Sequence, residues 1–104
     1  MLRDFAGATV PEKDYHRLAH ACRFDGAFPV TFTDWQRLVQ EGTKLAEESG
    51  REITKIDIDV DEFMRWSALA HIRPCMDAIR AFLIVKRFGV QTALDNISGL
   101  SRTA

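Results

Sequence analysis

Two histidines near the start of the chain, His16 and His20, have the spacing best suited to chemistry. Side chains four residues apart on an α-helix lie on adjacent turns, so two imidazoles at this spacing can bind one metal ion. A metalloprotease would place a glutamate directly after the first histidine, and this chain has Arg17 there. We therefore predict a solvated helix face with no metal site and no cofactor, and His16 and His20 remain the only candidate ligands.

Carboxylates at alternate positions, Asp57, Asp59 and Asp61, form a second pattern, which is also found at the opening of a calcium-binding loop. That loop requires glycine at its sixth position and glutamate at its twelfth, where this chain has Glu62 and Ala68. Alternation is instead typical of the outward face of a strand that leads into a helix cap. We expect no calcium site.

Motifs of the common catalytic classes are missing from the sequence, which has no Gly-rich phosphate loop, no nucleophile elbow and no Cys-X-X-Cys. The two cysteines, Cys22 and Cys75, match no metal or redox spacing, and we interpret both as small buried apolar side chains. The sequence therefore predicts a protein that is not an enzyme.

Length and composition are those of one folded domain, because 104 residues with 46% hydrophobic and 28% charged residues suffice for a single core. The net charge of -1 excludes the strongly basic balance of many nucleic-acid and membrane binders. No apolar run approaches the ~20 residues that span a bilayer, and the start does not look like a signal peptide. We expect a cytoplasmic protein with no membrane contact, one compact domain over residues 1–97, and a frayed tail over 98–104.

Capping signals and apolar periodicity predict four main helices. With their capping residues, these helices cover residues 9–26, 31–50, 59–71 and 74–88. The helix over 74–88 is apolar on almost all sides, so we predict that the other helices pack around it. A further short amphipathic helix is predicted over 90–97.

Ile56, Ile58 and Val60 alternate with charged residues, and this alternation predicts one strand over 53–58. A lone strand leaves backbone groups without partners, so it must pair with something. Two partners are open: residues 28–32 in a parallel arrangement, or the same strand of a second chain in a homodimer. The predicted fold class is α+β, mainly α.

Gly42 falls on the apolar stripe of the second helix, where glycine costs about 1 kcal/mol of helix propensity relative to alanine. We interpret it as a point of close approach and expect the neighbour to be the helix over 74–88, near Ile79 and Phe82. The alternative is a surface glycine with no structural purpose.

Two DNA-binding patterns are present in part. The order of strand 53–58 and helices 60–72 and 74–88 is that of a ribbon-helix-helix module, but Asp57 and Asp59 would face the phosphates. Residues 85–90 look like the centre of a helix-turn-helix, with Asp95 in the recognition helix. A DNA-binding regulator is therefore an alternative that we do not favour.

Several aromatic residues lie near the ends of predicted elements, where burial in one small core is doubtful. We take Phe24, Phe28, Trp66 and Phe88 as candidate partner contacts, because aromatic anchors concentrate binding energy at interfaces. The sequence thus predicts a small, non-enzymatic protein-interaction or regulatory module that binds a protein partner and forms a homodimer.

Overall fold

The computed structural model of the protein describes residues 2–88, and these form an α+β fold that is mainly helical, as predicted. The elements in chain order are a 3-10 turn (Leu2–Phe5), β1 (Ala8–Thr9), α1 (Glu12–Ala21), α2 (Phe32–Glu48), β2 (Ile56–Asp57), α3 (Val60–Leu69) and α4 (Met76–Phe88). The predicted helix over 90–97 and the predicted tail over 98–104 lie outside the described residues. No helix within residues 2–88 has the length and apolar character needed to cross a membrane.

Side-chain caps begin α2 and α3 where the sequence predicts them. The hydroxyl of Thr31 accepts a hydrogen bond from the N–H of Asp34 at 3.1 Å, and Asp59 accepts one from the N–H of Glu62 at 3.1 Å. Each such cap satisfies one of the free amides at a helix start and contributes about 1 kcal/mol.

The start of α1 differs from the prediction, because Thr9 is not a helix cap. Helix α1 begins after Pro11, whose side chain makes no cap hydrogen bond. Thr9 belongs to β1 instead, and its hydroxyl donates a hydrogen bond to the carboxylate of Asp57. The side chain of Thr9 therefore joins the two strands of the sheet and does not cap α1.

β1 and β2 form a two-stranded parallel sheet in which Ala8 lies opposite Ile56. The N–H of Ile56 donates to the carbonyl of Gly7 at 2.9 Å, and the N–H of Ile58 donates to that of Thr9 at 2.8 Å. The predicted pairing with residues 28–32 is wrong, since those residues form no strand and Phe32 begins α2. The strand predicted over 53–58 is shorter in the structure, where only Ile56–Asp57 is a strand, and it finds its partner within this chain. The homodimer therefore stays a prediction on other grounds.

Gly42 is buried at a point of close approach, as predicted, but its neighbour is not α4. A Cβ atom at Gly42 would lie 2.2 Å from the carbonyl oxygen of Leu2. The 3-10 turn at the start of the chain therefore occupies the place that we assigned to α4 near Ile79 and Phe82. This turn contacts both α2 and α4.

The core draws side chains from every element of the described chain. Its largest fully buried members are Trp35, Tyr15, Phe63, Phe82, Leu18, Ile79 and Leu83. On α4 the buried side chains share one face, while Ile84 and Val85 are half-buried and Phe88 is exposed. A position of α4 at the centre of the whole domain thus stays a prediction.

We expect Gly42→Ala to destabilise the protein, because its new methyl group would collide with the backbone of Leu2. Overpacking of this kind costs roughly 1–3 kcal/mol, which exceeds the gain of about 1 kcal/mol from replacing glycine in a helix. Urea unfolding of the variant measures the loss. Gly26→Ala is the matched control, since nothing lies within 4 Å of a Cβ atom there. A Gly42→Ala protein as stable as the native one would contradict the close contact.

Candidate functional site

An open groove of about 600 Å³ lies between α1 and α3. We call it the α1–α3 groove, and its lining residues are His16, Arg17, His20, Ala21, Arg23, Val60 and Met64. Apolar side chains come from both helices, and the basic side chains all come from α1 and the turn after it. Met64 is 37% exposed, so an adaptable apolar side chain faces solvent here.

An ion pair joins the two helices beside the groove. The guanidinium of Arg17 donates a hydrogen bond to the carboxylate of Asp61, and Asp14 lies 3.6 Å from the same guanidinium. The hydrogen bond to Asp61 is the main cause that raises the pKa of Arg17. Both residues of the pair with Asp61 are well exposed, so this contact positions the helices and adds little stability. The charge of Arg17 is nevertheless compensated.

Arg23, which also lines the groove, has no such compensation. Its guanidinium donates to the carbonyl of His20 at 2.9 Å, and no carboxylate within residues 2–88 lies within ion-pair distance of it. The same guanidinium lies over the ring of Phe24, 4.6 Å from its centroid. Phe24 is 76% exposed. Arg23, which lines the groove, therefore lies against an exposed aromatic ring that is not itself part of the groove lining.

Asp25 fixes the turn that carries Arg23 and Phe24. One of its carboxylate oxygens accepts from the N–H of Ala27 at 2.9 Å, and the other accepts from the N–H of Met76 at 2.8 Å. The second bond caps the start of α4 from 51 residues away. The predicted role of Asp25 and Gly26, to end α1, is wrong, since α1 ends at Ala21. Sequence patterns include no signal for a cap supplied by so distant a residue.

The other candidate contact residues lie apart from the groove. Phe28 is half-buried and stacks on Tyr15 and Trp35, with ring centroids 5.7 Å and 6.2 Å away. Trp66 is half-buried against the core, where its ring lies 5.5 Å from that of Phe82. Both rings pack against the core, which covers much of their surface.

Phe88, the fourth candidate contact residue, lies at the end of α4 and is 58% exposed. It lines a different pocket from the α1–α3 groove. Of the four aromatic candidates, only Phe24 and Phe88 thus present most of their surface to solvent.

The two histidines that could bind a metal, His16 and His20, are exposed and line the α1–α3 groove. Within residues 2–88, the structure contains no group of three or more His, Cys, Asp or Glu side chains that could hold a metal ion. The pair therefore has no third ligand in the described part of the chain.

Cys22 is buried as predicted, whereas Cys75 is half-buried, and both thiols are free. Burial raises the pKa of the Cys22 thiol to about 12, with smaller contributions from Cys75 and Asp25. The sulfur of Cys75 accepts a hydrogen bond from the N–H of Ala78 at 3.4 Å, in the first turn of α4. Cys22 is thus a buried core side chain at the end of α1, and Cys75 lies just before α4.

No protein-family model matches this chain, and a search of curated proteins and of solved structures found no significant similarity to it.

We expect Asp25→Ala to destabilise the protein by about 0.5–2 kcal/mol, the range measured for the loss of helix caps. The variant loses the bond to Met76 that caps α4 and the bond to Ala27 that shapes the turn. Chemical denaturation measures the loss of unfolding free energy. Asp77→Ala is the control, because that carboxylate lies in the same first turn of α4 with a side chain that is 90% exposed. Equal stabilities of the two variants would show that Asp25 is not a cap.

We expect Cys22 to resist thiol reagents in the folded protein at pH 8. With a pKa of about 12, roughly one Cys22 thiol in ten thousand is ionised at that pH, and only the thiolate reacts. A chromogenic disulfide reagent should modify Cys75 first and Cys22 only on unfolding, and Cys75→Ser should remove the early reaction. Fast modification of native Cys75→Ser protein would contradict the burial of Cys22.

Proposed function

We propose that the protein is a non-catalytic interaction module that binds a segment of another protein in the α1–α3 groove. The observation that carries this proposal is the exposed ring of Phe24 beside an apolar groove and beneath the unpaired guanidinium of Arg23. The partner we propose is an amphipathic helix that inserts apolar side chains between α1 and α3 and directs carboxylates toward Arg23.

The apolar part of the proposal rests on Phe24 and Met64. Both side chains are exposed and can lose accessible surface on binding, which contributes about 25 cal/mol per Å² of apolar area. An amphipathic helix that lies in an apolar groove is a recurring mode of peptide recognition. Met64 is unbranched and adapts to the shape of its neighbour, and aromatic residues such as Phe24 are common anchors at interfaces.

The charge of the groove selects an acidic partner. Arg17 already pairs with Asp61, so its charge attracts a second anion weakly. Arg23 lacks a carboxylate partner in the described chain, and a carboxylate from the partner would form a charge-assisted hydrogen bond with it. His16 and His20 add further donors on the same side of α1. A basic segment would gain none of these contacts.

The DNA-binding alternative gains no specific support. β2 has only two residues, and the carboxylate of Asp57 on its exposed face would repel phosphates. In the helix-turn-helix pattern, the turn and the recognition helix lie outside the described residues. Protein binding is therefore the function that we carry forward, together with the sequence-based predictions of a cytoplasmic location and of no catalysis.

A designed helical peptide tests the proposal directly. One peptide carries leucines on one face and glutamates beside them, and a second peptide has lysine in place of each glutamate. We expect the acidic peptide to cause saturable amide NMR shifts in α1, α3 and the turn that contains Phe24. The basic peptide should cause far smaller shifts, because Arg23 would repel it.

Variants of the protein separate the groove from other surfaces. Arg23→Glu should weaken binding of the acidic peptide about tenfold, equivalent to about 1.4 kcal/mol. Phe24→Ser should weaken it at least as much, because Phe24 is the proposed anchor. Lys44→Glu makes the same reversal of charge on the exposed face of α2 and should change nothing.

Two results would contradict the proposed partner. One is equal binding of the acidic and basic peptides. The other is a homodimer, detected by sedimentation equilibrium, that dissociates in Phe24→Ser, because a second copy would then occupy the groove. A protein that sediments at 11.8 kDa would instead contradict the homodimer predicted from the sequence.

A further inference from the structure

A second pocket, of about 470 Å³, is lined by three arginines from separate parts of the chain. Arg3 comes from the 3-10 turn, Arg51 from the segment after α2, and Arg87 from the end of α4. We call this site the arginine pocket. Its apolar walls include Ile53 and the exposed ring of Phe88. The pocket is separate from the α1–α3 groove, so a ligand bound in it would not depend on the proposed function.

Two of the three arginines in this pocket, Arg3 and Arg87, donate to neutral oxygens rather than to carboxylates. Arg3 donates to the hydroxyl of Ser49 at 3.2 Å, and Arg87 donates to two backbone carbonyls of the N-terminal segment, at 3.2 Å and 2.6 Å. No ion pair within residues 2–88 involves any of the three, although other arginines of the chain form such pairs. The site therefore holds three cationic side chains, none of them in an ion pair within residues 2–88, against the single carboxylate of Glu52 in its lining.

The guanidinium of Arg87 is partly buried in an unfavourable environment. Its Nε–H is buried and has no acceptor. Burial is the main cause that lowers the pKa of Arg87; the carboxylate of Asp4 raises that pKa, and the cation of Arg51 lowers it by a smaller amount. Arg51 and Arg87 thus repel each other across a space that the protein leaves open. An anion between them would remove this repulsion.

We propose that the arginine pocket binds a small molecule that carries a phosphate group. Guanidinium groups match the geometry of phosphate oxygens and can bind them in pairs. Thr54, which also lines the pocket, offers a hydroxyl as a further donor. The volume lies within the range of small-molecule sites, and the ring of Phe88 provides an apolar surface for the organic part of the ligand.

Glu52 sets the charge that the ligand must bring. It is the one acidic residue among those that line the arginine pocket. Its carboxylate offsets one of the three positive charges and repels an incoming anion, and the net charge of about +2 that remains attracts a doubly charged phosphate monoester more strongly than a monoanion. Removal of the Glu52 charge should therefore tighten binding.

The experiment uses the full chain and two probes, phenyl phosphate and inorganic phosphate. Amide NMR titration should show saturable binding of phenyl phosphate, with shifts at residues 3, 51–54 and 87–88. Inorganic phosphate should bind more weakly, because it lacks the apolar group, and sodium chloride at equal ionic strength should cause no saturable shift. Phe88→Ala should reduce the difference between the two phosphates.

The variants must leave the fold intact. Arg87 is therefore not replaced, because its guanidinium donates to two backbone carbonyls of the N-terminal segment. Arg51→Gln and Arg3→Gln should each weaken phenyl phosphate at least fivefold, and Glu52→Gln should strengthen it. Arg73→Gln is the matched control and should bind phenyl phosphate as the native protein does. Arg73 is exposed and lines no described pocket. It precedes α4, whereas Phe88 of the arginine pocket lies at the opposite end of that helix.

Three outcomes would overturn the proposal. The first is no saturable binding of phenyl phosphate at tens of millimolar. The second is equal weakening by Arg51→Gln and Arg73→Gln, which would indicate attraction to the surface in general. The third is a set of shifts centred outside the arginine pocket.

Discussion

The contact between Gly42 and the backbone of Leu2 is the constraint on which the rest of the fold depends. Because glycine has no Cβ atom, the 3-10 turn at the start of the chain can lie directly on α2. From that position Phe5 packs edge-on against the ring of Trp35, and the carbonyl of Ala6 receives the guanidinium of Arg87. Gly7, with φ of 72°, then turns the chain into β1. One missing methyl group thus lets the first residues join α2, α4 and the sheet.

Acidic side chains in this protein are used largely for structure, and this leaves particular cations without partners. Asp25 and Asp59 cap helices, and Asp61 pairs with Arg17. Although the net charge is only -1, Arg23 and the three arginines of the arginine pocket form no ion pair in the described chain. A balanced total charge therefore does not imply a balanced surface. Both of our functional proposals rest on this local imbalance.

Aromatic residues divide between the core and the surface in a way that follows from the size of the domain. The core combines aliphatic side chains with five buried rings, and Phe28 and Trp66 pack against this core. Phe24 and Phe88 lie just past the end of α1 and at the end of α4, where no described element covers them. Each exposed ring lies beside unpaired arginines, which is the combination that a ligand or partner can use.

The sequence by itself determined the features that depend on local chemistry. The α+β, mainly helical class, the caps at Thr31 and Asp59 and the close approach at Gly42 could all be predicted, because periodicity and capping act within a few residues. The exposed Phe24 was also among the predicted contact residues. These features depend on residues that are close together in the chain, so sequence patterns predict them.

Only the tertiary structure decided which distant segments meet. β1 has two residues, too few to show a period, so the partner of β2 could not be read from the sequence. The cap that Asp25 gives to α4, and the meeting of Arg3, Arg51 and Arg87, join residues that are far apart in the chain. Such contacts depend on how the helices and turns pack together, and no pattern of neighbouring residues encodes that packing.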